Sequence, residues 1–160
     1  MLPNDRRVSL NDMPGHCFGY LCLGLSLLVG CDDQQHVHQV RQFLDEWDRG
    51  QNIENIEDQS AFVNRLNRLP ADGDLRTTKA LCIRTIEQAI VAQREHSLGV
   101  ESFSSAIEQF SDERNFPQEV GQNIERHLEA SNAAIGRSQI LRRQCDDGLR
   151  VLRRELRHRR

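Results

Sequence analysis

Residues 116–160, FPQEVGQNIERHLEASNAAIGRSQILRRQCDDGLRVLRRELRHRR, carry one apolar stripe from end to end. Val120, Ile124, Leu128, Ile135, Leu141, Cys145, Leu149, Leu152 and Leu156 recur at near-heptad spacing, with Ala134 and Ser138 filling between them. Such spacing turns one face of an α-helix toward a partner. It predicts a helix that begins near Asn115, with Pro117 in the first turn, where a missing N–H does no harm. Unbroken, that helix would run about 40 residues and on the order of 60 Å. Gly121, Gly136 and Gly148 are the places where it could bend.

Upstream segments need a helical face to meet this one, and the sequence supplies several. Val37, Val40, Phe43, Leu44 and Trp47 share a face over 36–49, and Gly50 ends that helix. QNIENIEDQ, 51–59, is acidic and weakly periodic, a linker or frayed turn. A helix over 60–69 turns Phe62, Val63, Leu66 and Leu69 inward, with Ser60 as its N-cap. The turn cluster 70–74 follows. Asp74 then caps a helix over 75–96 with Leu75, Leu81, Cys82, Ile86, Ala89 and Ile90 inward. A loop around Gly99 leads to a helix over 102–113 carrying Phe103, Ala106, Ile107 and Phe110. β-Branched runs are few and no solenoid-type repeat occurs. The expected fold class is all-α: a small helical bundle with a long C-terminal helix.

The N-terminal stretch has another character. CFGYLCLGLSLLVG, 17–30, is an apolar run of 14 residues. A membrane-spanning helix needs about 20, and the core of a cleaved signal about 7–15. The stretch Leu27-Leu28-Val29-Gly30-Cys31 resembles the lipobox of bacterial lipoproteins, the substrates of the lipoprotein signal peptidase. Leu stands three before the Cys, a medium apolar residue follows, and a small residue sits at the scissile bond. The resemblance implies that Cys31 takes a diacylglycerol and that the Gly30–Cys31 bond is cut. The new amino terminus then receives a further acyl chain such as palmitate. The flank is weakly basic: Arg6 and Arg7 stand nine residues before Cys17, offset by Asp5 and Asp12. Asp32 follows the Cys directly; in enteric lipoproteins that residue favours retention in the inner membrane, with the outer membrane as the alternative. The expected division is a signal peptide over 1–30, a lipidated tether over 31–35 and one helical domain over 36–160.

Processing simplifies the cysteines. Cys17 and Cys22 leave with the signal and Cys31 is lipidated, so Cys82 and Cys145 remain. In an oxidising periplasm they are a disulfide candidate, the other reading being two buried thiols on core faces. The bond sets a geometric condition. Cys82 lies early in its helix and Cys145 far along the last one. A hairpin of those two helices alone would misplace them by roughly 20 Å. Stacking the 102–113 helix end to end on the 75–96 helix adds about 18 Å and removes the mismatch.

Charge is uneven. Residues 32–141 hold 11 basic and 19 acidic residues, whereas 142–160 hold eight arginines against Asp146, Asp147 and Glu155. Arg150, Arg153, Arg154, Arg157, Arg159 and Arg160 make a basic tail suited to anionic lipid head groups or an acidic protein face. An exported protein meets little nucleic acid, so that partner is not expected. The Leu149, Leu152 and Leu156 face of the same helix also allows docking or dimerisation.

Catalytic and metal signatures are missing from the sequence. His36 and His38 stand two apart and do not share a helix face, so with Asp32 or Asp33 they make a poor metal site. Glu95-His96 reads as the end of a helix, and Glu125, His127 and Glu129 as a solvated face. No HExxH, phosphate loop or nucleophile elbow occurs, and Ser104-Ser105 has no evident base. No catalytic residue, metal or cofactor is expected. The expected function is a lipid-anchored, periplasm-facing interaction or assembly factor of an envelope complex. The alternative is a lipoprotein that holds a small ligand or metal inside the bundle. In size and class the plan resembles secretin pilotins, without a motif that identifies them and with Asp32 arguing against their outer-membrane destination. A closed core with an exposed apolar stripe on the last helix would favour the first function, and a large apolar cavity the second.

Overall fold

The computed structural model describes residues 18–110 and 116–159, with side chains described from residue 33 onward. The described residues form four helices and no strand: α1 (Phe18–Gly50), α2 (Ile56–Arg68), α3 (Gly73–Phe110) and α4 (Gln118–His158). The chain divides into two compact units, Met1–Gln35 and His36–Arg160. In the first, the described residues are helical. The fold below is that of the second.

Within His36–Arg160 the helices alternate in direction. α1 from residue 36 folds back along α2: the Trp47 and Phe62 rings lie 6.0 Å apart, and Glu46 Oε1 meets Arg65 Nε at 2.6 Å. At the other end of the pair, His36 Nδ1 lies 2.7 Å from Asp72 Oδ1. α3 runs antiparallel to α2. Lys79, the only lysine, donates to the Asn67 and Leu69 carbonyls at the C-terminal end of α2, and Gln93 donates to Glu54 O just before its start. A cationic donor on a helix's last carbonyls answers their missing N–H partners.

α4 runs antiparallel to α3 along nearly its whole length. Thr85 O accepts from Ser138 Oγ at 3.1 Å, Ala92 O accepts from Ser131 Oγ at 2.9 Å, and His127 Nδ1 meets Glu95 Oε2 at 2.7 Å. Cys82 and Cys145 sit in the same register, their sulfurs at disulfide distance and their Cα atoms 4.9 Å apart.

The core lies where all four helices meet. Phe43, Phe62, Leu66, Leu75, Leu152, Val40, Cys82 and Cys145 are fully buried there. Two glycines set the distances. A Cβ at Gly50 would overlap the Phe62 ring, and one at Gly148 would overlap the Thr78 side chain. Their conservation of space lets α1 seat on α2, and α4 on α3, closer than a side chain permits.

Several expected boundaries move. The 75–96 helix and residues 102–110 of the expected 102–113 helix are one helix of 38 residues, α3; residues 111–113 lie outside the described residues. Gly99 does not interrupt it, because Gly99 is buried on the face that meets α4, with room for a Cβ only at 3.4 Å from His127 and Leu128. The end-to-end stacking required by the cysteine register is thus met by fusion. α2 starts four residues earlier than expected, and its N-cap is Asn55, whose Oδ1 accepts from Glu57 N at 2.7 Å and Asp58 N at 3.4 Å. Ser60 lies inside the helix and donates to Ile56 O. The 51–55 turn is held from within: the buried Gln59 amide donates to Ile53 and Glu54 carbonyls. α4 is a single helix of 41 residues with Pro117 at its N-cap, on the order of 60 Å long, and Gly121, Gly136 and Gly148 do not break it.

Candidate functional site

The basic tail is ordered helix. α4 continues to His158, and Leu149 and Leu152, 2% and 0% exposed, close the core beneath the arginines. Leu149 and Leu152 are used internally, and Leu156 packs half-buried against the same core. Arg153 donates to Asp48 Oδ1 on α1 at 2.6 Å, and Arg150 pairs with Asp147 one turn back. Arg154, Arg157 and Arg159 are exposed, and Arg160 lies outside the described residues. Arg68 in the last turn of α2 and Arg76 in the first turns of α3 stand at this same end, where α2 passes into α3. His36 is there too, its Nε2 4.0 Å from Glu155 Oε2. The first residue of the unit and the arginine tail therefore share one end of the bundle. Partial desolvation lowers the Lys79 ammonium below the ordinary lysine range.

The opposite end is built differently. α1 and α2 cover one face of α3 and α4 only as far as the 51–55 turn. Beyond it α3 and α4 continue as a two-helix projection, because they are about three times as long as α2. The face that α1 and α2 cover near the core continues here as an open groove of about 590 Å³. Ala89, Ser138 and Arg142 belong both to this groove and to the cleft under Trp47, Gly50 and Ile53, so the two are continuous. Further out the same face opens into a second hollow of about 530 Å³ between Phe103, Phe116 and Ile124, sharing Leu128 and Asn132 with the first.

The groove floor consists of small residues, Ala89, Ala92, Ser131 and Ser138. They let α3 and α4 approach closely. The two serine hydroxyls spend their hydrogens on carbonyls of α3, so the floor faces outward as carbon. Leu128 and Ile135 rise from it, 39% and 43% exposed. The sequence places both on the inward stripe, and they lie on the expected side of α4; no helix covers them. On the outer rim stand Glu125 and Glu129, one turn apart and exposed, with no ion-pair partner among the described residues.

No protein-family model, no curated protein and no solved structure matches this chain. Its chemistry is therefore read from the residues alone. Among the described residues no group of three His, Cys, Asp or Glu side chains is placed to hold a metal, and no helix is long and apolar enough to cross a membrane.

The remaining sequence-derived sites divide cleanly. Cys82 and Cys145 come together as a buried structural pair. Gly30 and Cys31 fall within α1, where their side chains lie outside the described residues, as does the whole of 1–17. Glu95-His96 is not a helix end: it sits mid-helix, and Glu95 pairs with His127 across to α4. Sequence reasoning missed that cross-helix pair and the groove. The alternating Ser131 and Ser138 opposite Ala89 and Ala92 were the signal available, since small residues at helical spacing mark close helix contact.

Proposed function

We propose that the protein is a lipid-anchored interaction factor of the cell envelope, attached through Cys31 and non-enzymatic. The observation that carries this reading is the groove: an apolar face left open on a molecule whose core is otherwise closed. An exposed contiguous apolar surface on a polar protein marks a contact with another macromolecule. A small-ligand role is less well supported, because the hollow is an open trough and not an enclosed cavity.

The charge arrangement fits an anchor. Cys31 precedes His36 by five residues, and the His36 end is where Arg68, Arg76, Arg154 and Arg157 gather. Each basic residue held near an anionic bilayer contributes about 1 kcal/mol of attraction. The lipid and the arginines would then act as two membrane signals, which stable anchoring requires.

The test is lipid labelling and crosslinking in bacterial membranes. Cys31→Ala should abolish incorporation of labelled palmitate and release the protein into the soluble fraction. Arg154→Glu with Arg157→Glu should leave labelling intact and weaken binding to vesicles containing anionic lipid. Labelling that persists in Cys31→Ala overturns the anchor. Truncating the tail would be a poor probe, because it removes Leu149 and Leu152 from the core.

A further inference from the structure

We infer that the outward face of α4 is a contact between two copies of this chain, packed antiparallel about a two-fold axis at Gly136. This face lies opposite the buried Ala134, Cys145, Leu149 and Leu152, and it meets the groove only at the Glu125–Glu129 rim. Glu129, Ala133, Gly136, Ile140, Arg143 and Asp147 follow along it at alternating steps of four and three, and all are exposed. That is the spacing of a seam between two helices. Two features at its middle have no use within one copy. Ile140 is 60% exposed, more than any other large hydrophobic side chain among the described residues. Gly136 disfavours a helix, yet a Cβ there would meet nothing within 4 Å. A second helix crossing at Gly136 accounts for both: the missing side chain lets the backbones approach, and Ile140 is covered by Ala133 of the other copy.

Charge selects a second copy as the occupant. Ala133 and Ile140 stand three and four residues either side of Gly136, Glu129 and Arg143 seven, and Arg126 and Asp147 ten and eleven. Reversing the helix about Gly136 therefore sets Glu129 against Arg143 of the other copy and Arg126 against its Asp147. Arg150, which pairs with Asp147, comes within a turn of Glu125 of the other copy. Glu129 and Arg143 have no ion-pair partner of their own among the described residues. A parallel pair would set Glu129 on Glu129 and Arg143 on Arg143. An antiparallel pair slipped by one turn would set Glu129 against Asp147. Opposite charge thus fixes direction and register together. A face complementary to its own reversal is what a two-fold contact requires.

The experiment is sedimentation velocity of the full chain in detergent micelles over a range of protein concentrations, which should show a monomer–dimer equilibrium. Arg143→Glu, and separately Glu129→Arg, should each weaken dimerisation at least tenfold. The two together should restore it to near the parent value, because the reversed pair re-forms across the axis; a merely solvated face would show no such rescue. Ile140→Asp should weaken it at least tenfold. All three positions are exposed, so the fold should survive, as circular dichroism would check. Ile135→Asp, in the groove, should change nothing. A chain that stays monomeric at about 100 µM overturns the proposal. So does a double variant that dimerises no better than the single ones. A dimer indifferent to Ile140→Asp, or one that Ile135→Asp dissociates, places the contact elsewhere and overturns it too. None of these readouts depends on acylation, so failure of the lipid anchor registers separately.

Discussion

Ser131 Oγ donates to Ala92 O across the α3–α4 interface at 2.9 Å, with Ser131 only 4% exposed. A side chain of one α4 residue reaches the main chain of α3, which only small residues at the contact allow. The same closeness recurs at Ser138 and Thr85 and at Gly148 and Thr78. The two long helices are thus held together by main-chain proximity from Gly148 in the core to Ser131, where α1 and α2 no longer support them.

The Cys82–Cys145 bond closes a loop spanning a sequence separation of 63 residues. In the chain-entropy picture such a crosslink stabilises by about 4 kcal/mol. Paired Cys82→Ser and Cys145→Ser should therefore lower denaturant stability by about 3–4 kcal/mol. Intact-mass measurement with and without reductant checks the bond itself. Two free thiols in envelope-purified protein would remove the basis of the prediction.

Asn55 and Ser60 make opposite predictions about where α2 begins. Asn55→Ala removes the acceptor for Glu57 N and Asp58 N and should cost about 1 kcal/mol. Ser60→Ala deletes only an intrahelical bond to Ile56 O and should cost a few tenths at most. Urea unfolding of the two variants decides. A larger loss at Ser60 would restore the later helix start.

Gly50 tests the seat of α1 on α2. Gly50→Ala forces a methyl into the Phe62 ring, and overpacking of this kind costs about 1–3 kcal/mol. Phe62→Leu in the same background should recover part of that loss, since it withdraws the atoms in the way. Thermal melts that leave Gly50→Ala indistinguishable from the parent would mean that the two helices do not meet there.

Leu152 and Arg153 are neighbours with different roles. Leu152→Ala opens a void in the four-helix core and should cost about 2–5 kcal/mol. Arg153→Ala breaks a half-exposed ion pair with Asp48 and should cost less than about 1 kcal/mol. Chemical denaturation separates the two. Comparable small losses at both would show that the arginine-rich segment is dispensable to the fold, and the placement of α4's last turns would have to change.

Periodicity alone determined that the chain is helical and which residues share a face. Val40, Phe43 and Leu44, Phe62 and Leu66, and Leu149 and Leu152 sit where their spacing puts them, because a 3.6-residue repeat is a local property. A Cys82–Cys145 bond also implied that the 75–96 and 102–113 helices stack end to end, although not that they are one helix. Tertiary structure decided the rest. Gly99 stays helical because α4 packs over it and supplies the contacts that offset its poor helix propensity. Leu128 and Ile135 belong to the same stripe as Leu149 and Leu152, yet they line a groove instead of a core. Spacing states which way a residue points; whether anything lies opposite depends on how far α1 and α2 reach along α3 and α4. The 51–55 turn sets that reach, and with it the boundary between the closed bundle and the open face.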